Sequence, residues 1–250
     1  MDLSFVNFSI CRERILDARG NEKSMKRFLF FLLFSLILTS CSKEQGKTKI
    51  IKNISDLNDL FNLKNYKTQV RLKVNDSIDH ITAQWHNFTL AGNFDTKMNN
   101  RTGIWTLKNK LNSKEILIDY IIFSKGDIFK NQIIFKEHNK IDSSKSKFYI
   151  AEEKSFRHIL LKFFSPKMEQ EVSKEAKVGY RILRGSKVLK DDSLTYKNNK
   201  DGIYLTNIKF DFQKGDELAG AFSEFVMAKD PISKDSLIMG NNSIYFIERF

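Results

Sequence analysis

The sequence predicts a mainly β protein, all-β or a β-rich α+β fold, built as an antiparallel meander or sandwich with one short N-terminal helix. Three observations predict it. Apolar and polar residues alternate with a period of two through several short runs, as strands with one buried face require. Pairs of Asn, Asp and Gly that favour turns recur between those runs. No long amphipathic helix intervenes, which argues against a nucleotide-binding α/β sheet.

Along the chain, Ile54, Leu57, Leu60, Phe61 and Leu63 lie near a 3.6-residue period behind Ser55 as N-cap, which predicts one helix over 54–65. Next, Val70, Leu72 and Val74 alternate with Gln69, Arg71 and Lys73, the pattern of a strand that buries its apolar side. Similar runs occupy 116–123, 128–135, 147–151, 203–212 and 244–250. Turns are expected at Asn99-Asn100, Gly126-Asp127, Asn139-Lys140, 198–202, Gly215-Asp216 and 240–242. The stretch 151–156 is charged, Phe163-Phe164-Ser165-Pro166 ends an apolar run in a breaker, and 167–177 is highly charged with helical propensity. A boundary near 165 would divide a β-rich domain over 53–165 from another over 166–250; the alternative is one continuous domain.

The chain before this β body has a different character. Lys26 and Arg27 precede an apolar run from Phe28 to Leu38, broken only by Ser35, and Leu38-Thr39-Ser40-Cys41 follows. As a helix that run rises about 16 Å at ~1.5 Å per residue, well short of the ~30 Å hydrocarbon core. It reads as an export signal, with positive charge before it and small residues after it. Leu38, Thr39, Ser40 and Cys41 together resemble the bacterial lipobox of type II signal peptides. The resemblance implies a diacylglyceryl group on the Cys41 thiol, cleavage of the preceding bond and further acylation of the new N-terminus. Two or three chains anchor durably where one does not, at about 0.8 kcal/mol per buried CH₂. In Gram-negative lipoproteins an aspartate after the cysteine retains the protein at the inner membrane; Ser42 stands there, so the resemblance implies the outer membrane. Residues 1–24 mix both signs of charge where a short basic region is expected, and read as a mis-assigned leader with translation starting at Met25. Residues 25–40 are then the cleaved signal and 41–52 a polar, basic tether.

Cleavage changes the chemistry open to the chain. Cys11 falls in the leader and Cys41 is committed to lipid, which leaves no thiol for a disulfide, a metal or nucleophilic catalysis. Stability is therefore expected from a core. Removing residues 1–40 takes away six basic and four acidic side chains, so the net charge falls from +12 to +10. Basic charge is the usual footprint of nucleic-acid binding. Here the lysines are interleaved with acids and the expected compartment holds no nucleic acid, so weak affinity for anionic headgroups or surface polysaccharide is the better reading. Gly46-Lys47-Thr48 has Cys41 where a phosphate-binding loop needs glycine.

Within 80–142, Trp85-His86-Asn87 leads to Gly92-Asn93-Phe94, followed by Gly103-Ile104-Trp105, an aromatic-rich 120–126 and a last hairpin at 135–141. These hairpins resemble MORN-like repeats, which implies a binding surface. The match keeps one Gly-x-Trp and has Asn139 where the pattern prefers glycine; a plain meander with buried tryptophans accounts for the same residues.

No residue set announces catalysis. His80, His86, His138 and His158 make no metal-spaced pair; on one straight strand His80 and His86 would stand ~20 Å apart. No Gly-x-Ser-x-Gly elbow is present. Glu152-Glu153 and Asp191-Asp192 point to opposite faces if they lie on strands, so neither pair is a ready acid/base couple. Asp76-Ser77-Ile78, Asp192-Ser193-Leu194 and Asp235-Ser236-Leu237 resemble an O-glycosylation signal of Gram-negative envelope proteins, which implies sugar on Ser77, Ser193 and Ser236; Asp-Ser is equally a turn former. The run 243–250 ends in an aromatic, as the last strand of an outer-membrane barrel does. Glu248 breaks its apolar face, however, and the strands lack the sustained lipid-facing alternation that a barrel requires. The expected protein is a membrane-anchored lipoprotein, needing no metal or cofactor, whose β body binds an envelope protein, a glycan or a small apolar ligand. The alternatives are an envelope hydrolase using carboxylates such as Glu152, Glu153, Asp191 or Asp192, and an immunity- or antitoxin-like lipoprotein.

Overall fold

The computed structural model describes residues 54–250 except 156, 198–200, 231, 234 and 235, with the side chains of 54–56 also set aside. A helix α1 (Ile54–Leu60) and a 3-10 turn (Leu63–Asn65) lead into fourteen strands. The first seven form one antiparallel meander in chain order: β1 (Thr68–Lys73), β2 (Ile78–Trp85), β3 (Phe88–Asp95), β4 (Asn100–Asn109), β5 (Lys114–Ser124), β6 (Asp127–Glu137) and β7 (Lys140–Ile141). The rest form two smaller antiparallel sheets. One has the order β12-β9-β8, from β8 (Phe148–Ser155), β9 (His158–Phe164) and β12 (Ile203–Lys209). The other has the order β11-β10-β13-β14, from β10 (Glu171–Arg184), β11 (Lys187–Lys197), β13 (Asp216–Lys229) and β14 (Leu237–Arg249). Among the described residues the fold is thus β-rich and antiparallel with one short α-helix.

Two hydrophobic cores form. In the meander, alternation points Ile81, Ala83, Leu90, Trp105, Leu107, Ile116, Ile118 and Ile133 to one face, where Leu57, Leu60 and Phe61 of the helical segment cover them. Each of the leucine, isoleucine and phenylalanine side chains, when fully buried, contributes roughly 1.5–3 kcal/mol. The helix end has its own closure. The Tyr66 hydroxyl donates to Leu60 O, an Arg101 N–H donates to Phe61 O, and Lys130 Nζ donates to Asn58 Oδ1 at 2.6 Å. The Tyr66 bond satisfies a carbonyl that the last helical turn leaves open, and the other two tie the helical segment to β4 and β6. Gly92 permits the tightest contact of this core: a Cβ there would run into the Trp105 ring, whose Nε1 donates to Asn93 O at 2.7 Å.

The second core lies between the two smaller sheets, a sandwich filled by Ile159, Leu161 and Phe163 from one side and Val178, Tyr180, Ile182, Leu218, Phe222, Ile244 and Phe246 from the other. β8 and β9, on the N-terminal side of residue 165, contribute to this core.

Three local expectations give way. β1 forms where alternation placed it but buries neither face; all six of its residues are exposed. The charged stretch before Lys177 is strand from Glu171 onward, because Lys174, Ala176 and Val178 take the inward phase of β10 and outweigh local helix propensity. The turn expected at 240–242 is the middle of β14, where Gly240 makes room for Met168: a Cβ would come within 2.9 Å of its Sδ.

Candidate functional site

The meander has one covered face and one open face. Register alone defines a continuous row on the open side: Val70 pairs with Thr82, Thr82 with Ala91, Ala91 with Thr106, Thr106 with Leu117, and Leu117 with Ile134. Beside it, Leu72 opposes His80, and Ile104 opposes Asp119. Leu72 is 63 % and Ile104 61 % exposed. The lower border is charged, with Lys108 and Lys136 ion-paired to Glu115 at 3.2 and 3.8 Å. A strip of mostly threonine and aliphatic side chains, with His80 and Asp119 on the same face and ions at its border, is suited to contact with another surface.

A second accessible feature is the seam between meander and sandwich. Lys147 stands where the chain leaves one for the other, its backbone exchanging hydrogen bonds with Ile133 at 2.7 and 2.8 Å. Its Nζ donates to Lys130 O at 2.8 Å and to Ser243 O at 2.9 Å and lies 5.0 Å from the Phe129 ring centroid. Burial, aided by the Lys130 charge, lowers the Lys147 ammonium pKa to about 8. The Asn131 side chain bonds both backbone groups of Tyr245, accepting from N–H at 2.7 Å and donating to C=O at 3.0 Å. The Tyr245 ring meets Phe123 and Phe129 edge-on, with centroids 5.4 and 5.3 Å away. The Asn131 bonds thus seat Tyr245 beside the two phenylalanines, and Phe123 and Tyr245 remain exposed.

The densest polar cluster is sealed inside the sandwich. Glu224, with no exposed surface, accepts from Tyr204 Oη at 2.7 Å, from Asn242 Nδ2 at 2.9 Å and from the Ser165 hydroxyl. Lys174 Nζ is 3.4 Å from Glu224 and 2.9 Å from Glu171. Burial, then the neighbouring carboxylates, push the Tyr204 hydroxyl pKa upward. Serine, lysine, tyrosine and carboxylate together suggest nucleophile chemistry, yet Ser165, Lys174, Tyr204 and Glu224 are all buried. The arrangement ties five segments of the sandwich together and presents no reacting atom to a substrate.

The residues nominated from sequence do not converge. Glu152 lies on β8 between Lys154 and Lys162, each 2.5 Å away, and those hydrogen bonds lower its pKa. Glu153 is exposed on the same strand. Asp191 and Asp192 lie on β11, in the other sheet of the sandwich. Asp191 pairs with Arg181 at 2.8 Å. Asp192 accepts from the Ser193 N–H, which lowers its pKa, and from the Tyr180 hydroxyl. His80 contacts Asn93 and His158 contacts Asn207; His86 leaves the strand altogether, in a turn at φ 50°. Among the described residues no group of His, Cys, Asp or Glu is arranged to hold a metal.

Ser77 lies in the β1–β2 turn and Ser193 is exposed midway along β11, while the Ser236 hydroxyl is engaged with Asp230 and Ser233. Leu38, Thr39, Ser40 and Cys41 fall outside the described residues, as do the leader, signal and tether. Among the described residues no helix is long and apolar enough to cross a membrane. The seam residues Asn131 and Lys147 and the buried Glu224 carry no motif. Their one legible signal is a polar residue among the apolar neighbours of a strand, as in Phe222, Glu224 and Val226. No protein-family model matches the chain, and no curated protein and no solved structure is significantly similar to it.

Proposed function

We propose that the chain is a lipid-anchored lipoprotein of the cell envelope, held at the outer membrane through Cys41, and that its β body is a non-enzymatic binding module for an envelope protein or glycan. The observation that carries the binding reading is the uncovered face of the meander, where Val70, Leu72 and Ile104 stay more than half exposed. The MORN-like hairpins of 80–142 fit the same reading, since a meander with one face packed keeps the other for a partner. The anchor rests on the charge, length and cysteine of the signal-like segment. An immunity- or antitoxin-like role is a specialised form of this function. A hydrolase is less well supported: a general acid at neutral pH needs a raised carboxyl pKa, and those of Glu152 and Asp192 are lowered.

The test combines anchoring with capture. Cells fed labelled palmitate should label the wild type and not Cys41→Ser, and protease treatment of intact against lysed cells reports the side on which the β body lies. Label retained by Cys41→Ser would overturn the anchor. The Cys41→Ser chain, immobilised and exposed to envelope extract, should enrich a partner or glycan; no enrichment under mild conditions would overturn the binding module.

A further inference from the structure

Among the described residues, β1 is an amphipathic strand with nothing laid on its apolar side. Val70 is 53 %, Leu72 63 % and the following Val74 59 % exposed, and β1 has β2 as its single neighbour in the sheet. The phase of its backbone can be assigned. Val74 N–H donates to Ile78 O at 2.9 Å, and the β1–β2 register runs without a bulge from Thr68↔Gln84 to Lys73↔Asp79. In an antiparallel ladder alternate residues bond the partner strand. Thr68, Val70 and Leu72 therefore turn their amides toward β2, while Gln69, Arg71 and Lys73 turn N–H and C=O to the open edge. Among the described residues these groups have no partner.

The side chains sort by the same alternation. Val70 and Leu72 lie on the open face with Thr82 and His80, whereas Arg71 and Gln69 share the face of Ile81 and Ala83. From Lys67 to Lys73 the chain carries Lys67, Arg71 and Lys73 and no acid. The present partners of these cations exchange easily: Lys73 pairs with Asp76 at 2.9 Å, both largely exposed, and Arg71 lies 5.5 Å from the Phe94 ring centroid.

We propose that the free edge of β1 is a strand-addition site whose occupant is an extended segment of a partner protein with acidic and apolar residues in alternation. This deepens the binding-module reading and rests on it. Backbone bonds to Gln69, Arg71 and Lys73 supply affinity, apolar side chains of the added strand lie against Val70 and Leu72, and its carboxylates face the basic side. Charge selects this occupant over a second copy. Antiparallel pairing of β1 with itself about Arg71 sets Arg71 against Arg71, and pairing about Val70 sets Lys67 against Lys73; like charges directly opposite destabilise a ladder. A bilayer would accept the side chains and leave the edge amides unbonded.

The test uses the full Cys41→Ser chain and amide hydrogen exchange of β1. The probe is a blocked peptide of about nine residues alternating Glu and Val, long enough to span the strand at ~3.4 Å per residue. Exchange at Gln69, Arg71 and Lys73 should slow by roughly tenfold or more at saturation. A Lys/Val peptide and an N-methylated Glu/Val peptide should give no protection. Arg71→Glu with Lys73→Glu, both exposed, should reverse the preference toward the Lys/Val peptide. Several results would each overturn the proposal: no protection, equal protection by both charged peptides, protection that rises with protein concentration alone, or protection by phosphatidylglycerol vesicles in place of peptide. If envelope extract yields a partner that the double variant retains in full, strand addition at β1 falls and the binding module stands. If it yields none, the module itself falls.

Discussion

The meander and the sandwich solve the same problem at opposite costs. Both take alternating strands and bury one face of each. The sandwich closes two sheets on each other, seals its core at both sides and accepts an ion pair inside it, Lys174 with Glu224. The meander covers one face with a helix of seven residues and the turn beyond it, and leaves the other face bare. A closed sandwich spends its apolar surface on stability, whereas a one-sided sheet keeps surface for a partner. On the proposed reading the sandwich is the scaffold and the meander the binding part, with Asn131 and Lys147 at the join between them.

The largest effect that would sharpen this contrast is at Glu224. Glu224→Ala leaves Lys174 buried with Glu171 as its sole carboxylate and removes the acceptor for Tyr204 and Asn242, so the sandwich should lose about 3–5 kcal/mol. Calorimetry would show the lower-melting transition belonging to the sandwich, while Trp105 fluorescence in the meander follows later. A shared, unsplit transition would mean that the seam makes one cooperative body of both.

The seam itself carries the next largest effect. Lys147 has a pKa near 8 in the folded chain against 10.5 unfolded. Below pH 8 it is protonated in both states and its burial cost is constant; between those values the unfolded chain binds more protons, so stability rises with pH. The gain is on the order of 3 kcal/mol at most and levels off above 10.5. Urea midpoints of wild type against Lys147→Met across this range check it: the variant should lose the rise that Lys147 supplies. Equal slopes would place the ammonium in water and loosen the seam.

The smallest of the three tests the meander. Gly92→Ala drives a methyl into the Trp105 ring and should cost about 1–3 kcal/mol, with a red shift of tryptophan emission. An unchanged melting temperature would show a core able to yield, in contrast to the packed sandwich.

Much of the fold is legible in the sequence because period-two alternation and turn chemistry are local. Gly126-Asp127 and Asn139 turn where expected, and the helix before residue 66 forms as α1 and a 3-10 turn. Alternation reports that a strand is amphipathic and says nothing about whether a cover exists, which is why it predicts a half-buried β1. The onset of β10 is hidden because Lys174 occupies an inward position and makes the pattern look uniformly charged. The buried cluster is out of reach for a different reason: Ser165, Lys174, Tyr204, Glu224 and Asn242 are brought together by sheet register and sandwich packing, with no fixed spacing. The seam is likewise a product of tertiary contact, joining Asn131 to a residue 114 positions away.

The placement of α1 has a mechanical consequence. Among the described residues, a pull from the N-terminal side reaches α1 before any strand, and this segment is held by Leu57, Leu60 and Phe61, by Lys130 on Asn58 and by Arg101 on Phe61 O. Behind it the load meets β1 at Thr68, the end of the β1–β2 ladder that is paired with Gln84. The first work done by such a load is to lift the lid from Trp105, a fully buried indole. A chain loaded this way would signal tension by wetting one tryptophan while its sandwich stayed intact.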